Sequence, residues 1–116
     1  MKKAKVFYNE KHKEVLDSFL LMKPEVSAGK MFGFPAYYVH GKLFACVYED
    51  GVGIKIPEEM AQQLLKTKRV IPFQPFGKAK MREWVQINHE RSKDYLKDRE
   101  ILFKALEFVS KAENHG

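Results

Sequence analysis

A run of unopposed basic residues is the part of this sequence best suited to binding an anionic partner. Between Met60 and Arg82 the chain has six lysines and arginines and no aspartate or glutamate. Cations attract phosphates, and aromatic rings between them can stack on bases. The run therefore predicts a nucleic-acid-binding surface. The alternative is a basic face that only contacts solvent, with Trp84 packed in the core or partly buried as an anchor. The residues of this surface are Lys66, Lys68, Arg69, Lys78, Lys80, Arg82 and Trp84.

A second candidate surface is rich in aromatic residues, glycine and proline. Gly33 and Pro35 can shape an opening in the chain, because both residue types favour turns. If the neighbouring phenylalanines are exposed, they predict a site for a ligand or a partner protein. The alternative is that their rings pack against the body of the domain. The residues of this surface are Met31, Phe32, Gly33, Phe34, Pro35 and Phe76.

The histidines and the cysteine do not form the pattern of a catalytic or metal centre. No histidine has a second histidine or a cysteine at the spacing typical of metal ligands. Cys46 lies in an apolar stretch, where a thiol is an inert small hydrophobic group. We therefore expect no catalytic set, no metal and no cofactor, with His12 satisfied in or beside the core. The four histidines are His12, His40, His89 and His115.

Three segments have the apolar spacing of amphipathic helices. The first covers residues 6–22 and ends at Lys23-Pro24, because proline cannot continue the helical ladder and restricts the residue before it. The second opens at Pro57, with two glutamates that suit the positive end of the helix dipole. The third is expected from a cap near Ser92 to about Ala112.

The stretch of residues 26–56 has the alternation and punctuation of antiparallel strands. Tight turns are expected at His40-Gly41 and at Asp50-Gly51. Residues 43–48 are apolar on both faces, which predicts the central strand, with Leu43, Ala45 and Val47 on one face. Val52, Ile54 and Ile56 alternate with Gly53 and Lys55, which predicts a neighbouring strand with one face exposed to solvent.

A last strand is expected at residues 81–87, and residues 70–77 form an irregular or edge segment because they contain Pro72 and Pro75. The predicted order of elements is α-β-β-β-β-α-β-α. We therefore expect a two-layer α+β fold, with an antiparallel sheet of about five strands and three helices.

Length and composition predict one cytoplasmic domain. The 116 residues suit a single domain, residues 1–116. One cysteine permits no internal disulfide and fits a reducing compartment. The basic start is soon interrupted by polar and charged residues, so we expect no signal peptide. The longest strictly apolar run, residues 19–22, is too short to span a membrane.

Five short motifs follow one another in order along the chain. They are Lys30-Met31-Phe32-Gly33, Gly41-Lys42, Phe44-Ala45, Phe73-x-Pro75-x-Gly77 and Met81-Arg82-Glu83-Trp84-Val85. Their order and spacing resemble the TfoX N-terminal domain family, over about residues 25–109. The resemblance implies a two-layer α+β fold and a tendency to self-associate, and it supplies no agreed catalytic set. Named members of that family are bacterial regulators of natural competence with an additional carboxy-terminal helical domain, for which we expect no room here.

The resemblance and the residues together predict a non-enzymatic regulatory or protein-interaction domain. We expect it to form a homodimer in the bacterial cytoplasm and to bind an unknown protein partner, without a membrane. One alternative is a nucleic-acid-binding protein that uses the basic surface. Another is a small-ligand binder or an enzyme with a pocket between Met31 and Tyr37.

Overall fold

The computed structural model of this protein describes residues 6–112, which form three α-helices and six β-strands. The helices are α1 (Glu10–Leu20), α2 (Glu58–Leu64) and α3 (Arg99–Ala112). The strands are β1 (Val26–Met31), β2 (Phe34–Val39), β3 (Lys42–Tyr48), β4 (Gly51–Lys55), β5 (Val70–Pro72) and β6 (Trp84–Ile87). Short 3₁₀ turns lie at Pro75–Gly77 and Ser92–Asp98. His115 lies outside the described residues.

The strands form one sheet in the order β1-β2-β3-β4-β6-β5, and all neighbours are antiparallel. The predicted α+β fold is confirmed, with β5 as an additional short strand at the edge. Pro72 is tolerated there because an edge strand needs only half of its backbone hydrogen bonds. Among the described residues, no helix combines the length and the apolar character needed to cross a membrane.

The main core lies between the helices and one face of the sheet, which we call the helix face. Leu16 of α1 and Leu102 of α3 are fully buried there, together with Val47 and Ile54 of the two central strands. Burial of each large apolar side chain stabilises the fold by about 1.5–3 kcal/mol. The apolar stripes predicted from helical spacing therefore do form the core.

Two predicted helix starts are wrong by several residues. α1 begins at Glu10 because the Asn9 side chain accepts hydrogen bonds from the backbone N–H groups of Lys11 and His12. A polar cap of this kind satisfies donors that the helix itself leaves free, whereas Val6 has no side-chain acceptor. In the third helix, the turn at Ser92–Asp98 is 3₁₀, and the α-helix begins only at Arg99.

The alternation predicted along β3 is also wrong at its start. Tyr37 pairs with Ala45 and Tyr38 pairs with Leu43, so Phe44 is an extra residue on β3. This bulge turns Phe44 to the helix face and Leu43 to the opposite face, which we call the open face. The next turn differs in register as well, since it consists of Glu49-Asp50 while Gly51 pairs with Tyr48 in the sheet.

Candidate functional site

A row of small residues crosses the open face of the sheet. The strand register places Gly29 beside Ala36, Ala36 beside Cys46, and Cys46 beside Gly53. Residues directly opposite one another in a sheet share a face, so these four positions form one line across four strands. Because none has a large side chain, neighbouring rings can lie over the line, and the ring of Tyr38 does so at Gly29.

The connection between β5 and β6 covers one end of this row. The ring of Phe73 is buried and lies over Gly53, and a Cβ atom at Gly53 would come within 2.9 Å of that ring. Trp84 packs beside Phe73 with their ring centroids 5.3 Å apart. The expected wet face of β4 is therefore covered at this point, because the glycine leaves room for an aromatic ring.

Phe73 and Trp84 also line an apolar groove with a volume of about 340 Å³, which we call the aromatic groove. Its lining is apolar except for one lysine. The lining residues are Met31, Phe32, Leu43, Phe73, Pro75, Phe76, Lys78, Met81 and Trp84. The groove therefore joins parts of both surfaces predicted from the sequence.

Two Phe-Gly turns place exposed rings at the mouth of the groove. Phe32 and Gly33 connect β1 to β2 with φ of 50° and 90°, and Phe76 and Gly77 have φ of 58° and 73°. Positive φ suits glycine but is strained for a bulky residue. The rings nevertheless remain 78% and 55% exposed and contact each other edge to face, with centroids 5.4 Å apart.

The remaining residues of the predicted partner surface support this arrangement or face away from it. Phe34 is buried on the open face and contacts the rings of Tyr48 and Phe76 at centroid distances of 4.7 and 6.0 Å. The Tyr48 hydroxyl also accepts a hydrogen bond from the Phe76 backbone N–H at 3.2 Å. Pro35 follows Phe34 in the strand, so alternation turns it to the helix face.

The predicted basic surface is divided by the fold. Lys78 lines the aromatic groove, while Lys80 and Arg82 line an adjoining groove that shares Met81 and Trp84 with it. The other three cations lie at the opposite end of β5, where the Arg69 carbonyl accepts a hydrogen bond from the Asn88 backbone N–H. They are Lys66, Lys68 and Arg69.

His12 and Cys46 are both buried in the fold. His12 is buried, with Nδ1 2.6 Å from the Ser92 hydroxyl and Nε2 3.1 Å from the Asp50 carbonyl. Burial lowers the pKa of His12, since the charged imidazole is disfavoured away from water. Burial likewise raises the pKa of Cys46 to about 12. Among residues 6–112, no group of three potential metal ligands comes together.

Sequence reasoning did not find four of the lining residues: Leu43, Phe73, Pro75 and Met81. Their apolar side chains do not distinguish them in the sequence, because residues of the core are of the same types. Only the bulge at Phe44 and the path of the β5–β6 connection turn them toward the groove.

Comparison with known proteins agrees with this fold. The family model described as TfoX N-terminal domain matches residues 16–109, which includes the whole small-residue row and the groove lining. Comparisons with curated proteins and with solved structures gave no match. Because the family model covers most of the 116 residues, the chain belongs to the TfoX N-terminal domain family.

Proposed function

We propose that this protein is a non-enzymatic regulatory domain that binds a partner protein through the aromatic groove. The observation that carries the proposal is the pair Phe32 and Phe76, which both hold exposed rings on strained backbone. Positive φ occurs at His40 and Glu49 as well, so what favours a role in recognition is that Phe32 and Phe76 add an exposed apolar ring to the strained backbone. Exposed apolar rings beside an apolar depression are typical of protein-interaction sites.

The proposal includes a cytoplasmic setting in a bacterium, consistent with the family resemblance. It is supported by the single cysteine, whose thiol is buried and does not take part in a disulfide. Proteins of reducing compartments rely on packed cores, as this one does, for their stability.

A second part of the proposal is homodimer formation along β1. β1 is an edge strand that pairs only with β2, and its residues Ser27 to Lys30 are exposed. Edge strands present unpaired backbone groups that another strand can complete. Light scattering of the purified protein over a range of concentrations tests this part. We expect Ala28→Lys to give monomers through charge repulsion, while Gln63→Lys, an exposed change on α2, leaves the dimer intact.

The partner-binding proposal is tested by affinity capture with three versions of the full chain. We expect the wild type and His40→Asn to retain the same protein, and the double variant Phe32→Asn/Phe76→Asn to lose it. The captured protein is then purified and its affinity for each version is measured directly. Equal affinity for all three versions contradicts a role for the groove.

Nucleic-acid binding is the second candidate function, favoured by Lys78, Lys80 and Arg82 around Trp84. Fluorescence anisotropy with short labelled DNA and RNA at two salt concentrations tests it. Submicromolar binding that weakens steeply with salt supports this function, because phosphate contacts release counterions. Absence of binding at low salt contradicts nucleic-acid binding and favours the protein-interaction proposal.

A further inference from the structure

We infer that the aromatic groove recognises an acidic amphipathic segment of the partner protein. Apolar side chains of the segment enter the groove, and its aspartates or glutamates face the cations at the groove's margin. This inference rests on the proposed function, since it specifies the chemistry of the partner at the same site.

The shape of the groove suits apolar side chains better than nucleic-acid bases. The exposed rings of Phe32 and Phe76 meet edge to face at an interplanar angle of 81°, whereas Phe73 and Trp84 lie side by side, tilted by 34°. Bases stack on flat, accessible ring faces, but the exposed pair meets edge to face, and Trp84 is half-buried against the buried ring of Phe73. Met31 and Met81 add flexible thioethers that adapt to varied apolar side chains.

The volume of the groove limits the number of side chains that it can bind. A dry cavity of about 150 Å³ can hold one benzene molecule. The groove, at about 340 Å³, therefore has room for about two side chains of that size. Two anchors on one face of a short segment are typical of helix-in-groove recognition, where residues three or four apart contact the groove together.

The charges around the groove favour a partner segment with a negative net charge. Lys78, Lys80 and Arg82 are exposed, and none forms an ion pair with another of residues 6–112. The lining of the aromatic groove contains no carboxylate, and the adjoining groove contains only Glu58. Glu83 lies near Arg82 but pairs with Lys55 at 4.0 Å. An acidic segment meets three unpaired cations here, whereas a basic one is repelled.

The inference is tested by selecting peptides of about 16 residues from a random display library against the full-length protein. We expect the enriched peptides to combine two or more large apolar residues with a net negative charge. Their affinities are then measured by anisotropy, with a single-stranded DNA oligonucleotide of the same length as a second probe.

Matched charge reversals then locate the contact. We expect Lys78→Glu/Lys80→Glu/Arg82→Glu to weaken binding of the selected peptides by at least about tenfold, because it replaces attraction by repulsion. The control, Lys66→Glu/Lys68→Glu/Arg69→Glu, makes the same change in net charge at the other end of β5. We expect it to weaken binding less than the first variant does, because none of its three residues lines either groove and charges about a Debye length away are partly screened.

Several outcomes overturn the inference. Enriched peptides that are neutral or basic, no enrichment at all, or equal effects of the two triple variants would each contradict it. Tighter binding of the oligonucleotide, with the same dependence on Lys78, Lys80 and Arg82, would favour nucleic acid instead. Loss of a captured partner in Phe32→Asn/Phe76→Asn, combined with neutral selected peptides, would leave the proposed function standing without this inference.

Discussion

The rings of Phe32 and Phe76 meet edge to face with their centroids 5.4 Å apart, although they belong to two turns far apart in the chain. Each phenylalanine precedes a glycine, and each has the positive φ that a bulky side chain rarely adopts. Asparagine or glycine would fit either position with less strain. Each turn is therefore less stable locally than it would be with asparagine or glycine, and each places an aromatic ring at the groove.

Replacing Phe32 with asparagine is expected to separate stability from binding. Asn-Gly is the preferred pair for a two-residue hairpin in which both residues have positive φ. The change should raise the free energy of unfolding by about 1 kcal/mol, because the left-handed conformation costs a bulky residue roughly that amount. Urea denaturation measures the stability, and the capture experiment measures the loss of partner binding.

His40 supplies the control for that variant. It precedes Gly41 in the β2–β3 turn, also with positive φ, and it does not line the aromatic groove. His40→Asn should therefore stabilise the protein by a similar amount and leave binding unchanged. A Phe32→Asn protein that is less stable than the wild type would show that Phe32 is needed for the fold itself.

Gly53→Ala is expected to destabilise the protein by about 1–3 kcal/mol, because the added methyl group overpacks the space under Phe73. Phe73→Leu removes the ring that the methyl group meets. In the double variant, the cost of Gly53→Ala should be smaller than in the wild-type background. Thermal or urea unfolding of the four proteins measures this coupling, and strictly additive costs would refute the contact.

The thiol of Cys46 should be inert in the folded protein. It is fully buried, and with a pKa of about 12 only about one thiol in 10⁵ is ionised at pH 7. We expect Ellman's reagent to modify it quickly in concentrated guanidinium and only at the rate of unfolding in buffer. Rapid modification of the native protein would mean that the packing over Cys46 on the open face opens to solvent.

Stability is expected to fall in mild acid because of His12. Its pKa is lower in the folded state than the usual 6.5, since the buried ring disfavours a charge. Above pH 6.5 both states hold a neutral ring, so the full stability is present. Below that pH the unfolded state takes up the proton first, and the free energy of unfolding decreases by up to about 1.4 kcal/mol per pH unit.

Urea denaturation between pH 8 and pH 5 measures this effect. His12→Gln removes the titrating ring, so its stability should be lower at pH 7 but flatter below pH 6.5. A His12→Gln profile parallel to that of the wild type would assign the slope to other groups.

Periodic features of the fold could be predicted from the sequence. Leu16, Leu102 and Val109 follow helical spacing, and Val52 and Ile54 follow strand alternation, so local pattern alone identifies their buried faces. Element boundaries were less predictable at α1, where Asn9 outcompetes earlier residues as a cap. The bulge at Phe44 has no local signal, because it depends on how β3 pairs with β2.

The sequence by itself determined the α+β class, the helix-face core and the family, because these depend on residue types at regular short spacing. Only the tertiary structure decided which residues form the aromatic groove. Gly29, Ala36, Cys46 and Gly53 become one row through pairing of four strands. The basic residues are divided because β5 lies between the two groups, and its pairing with β6 depends on a strand register that no local stretch of sequence contains.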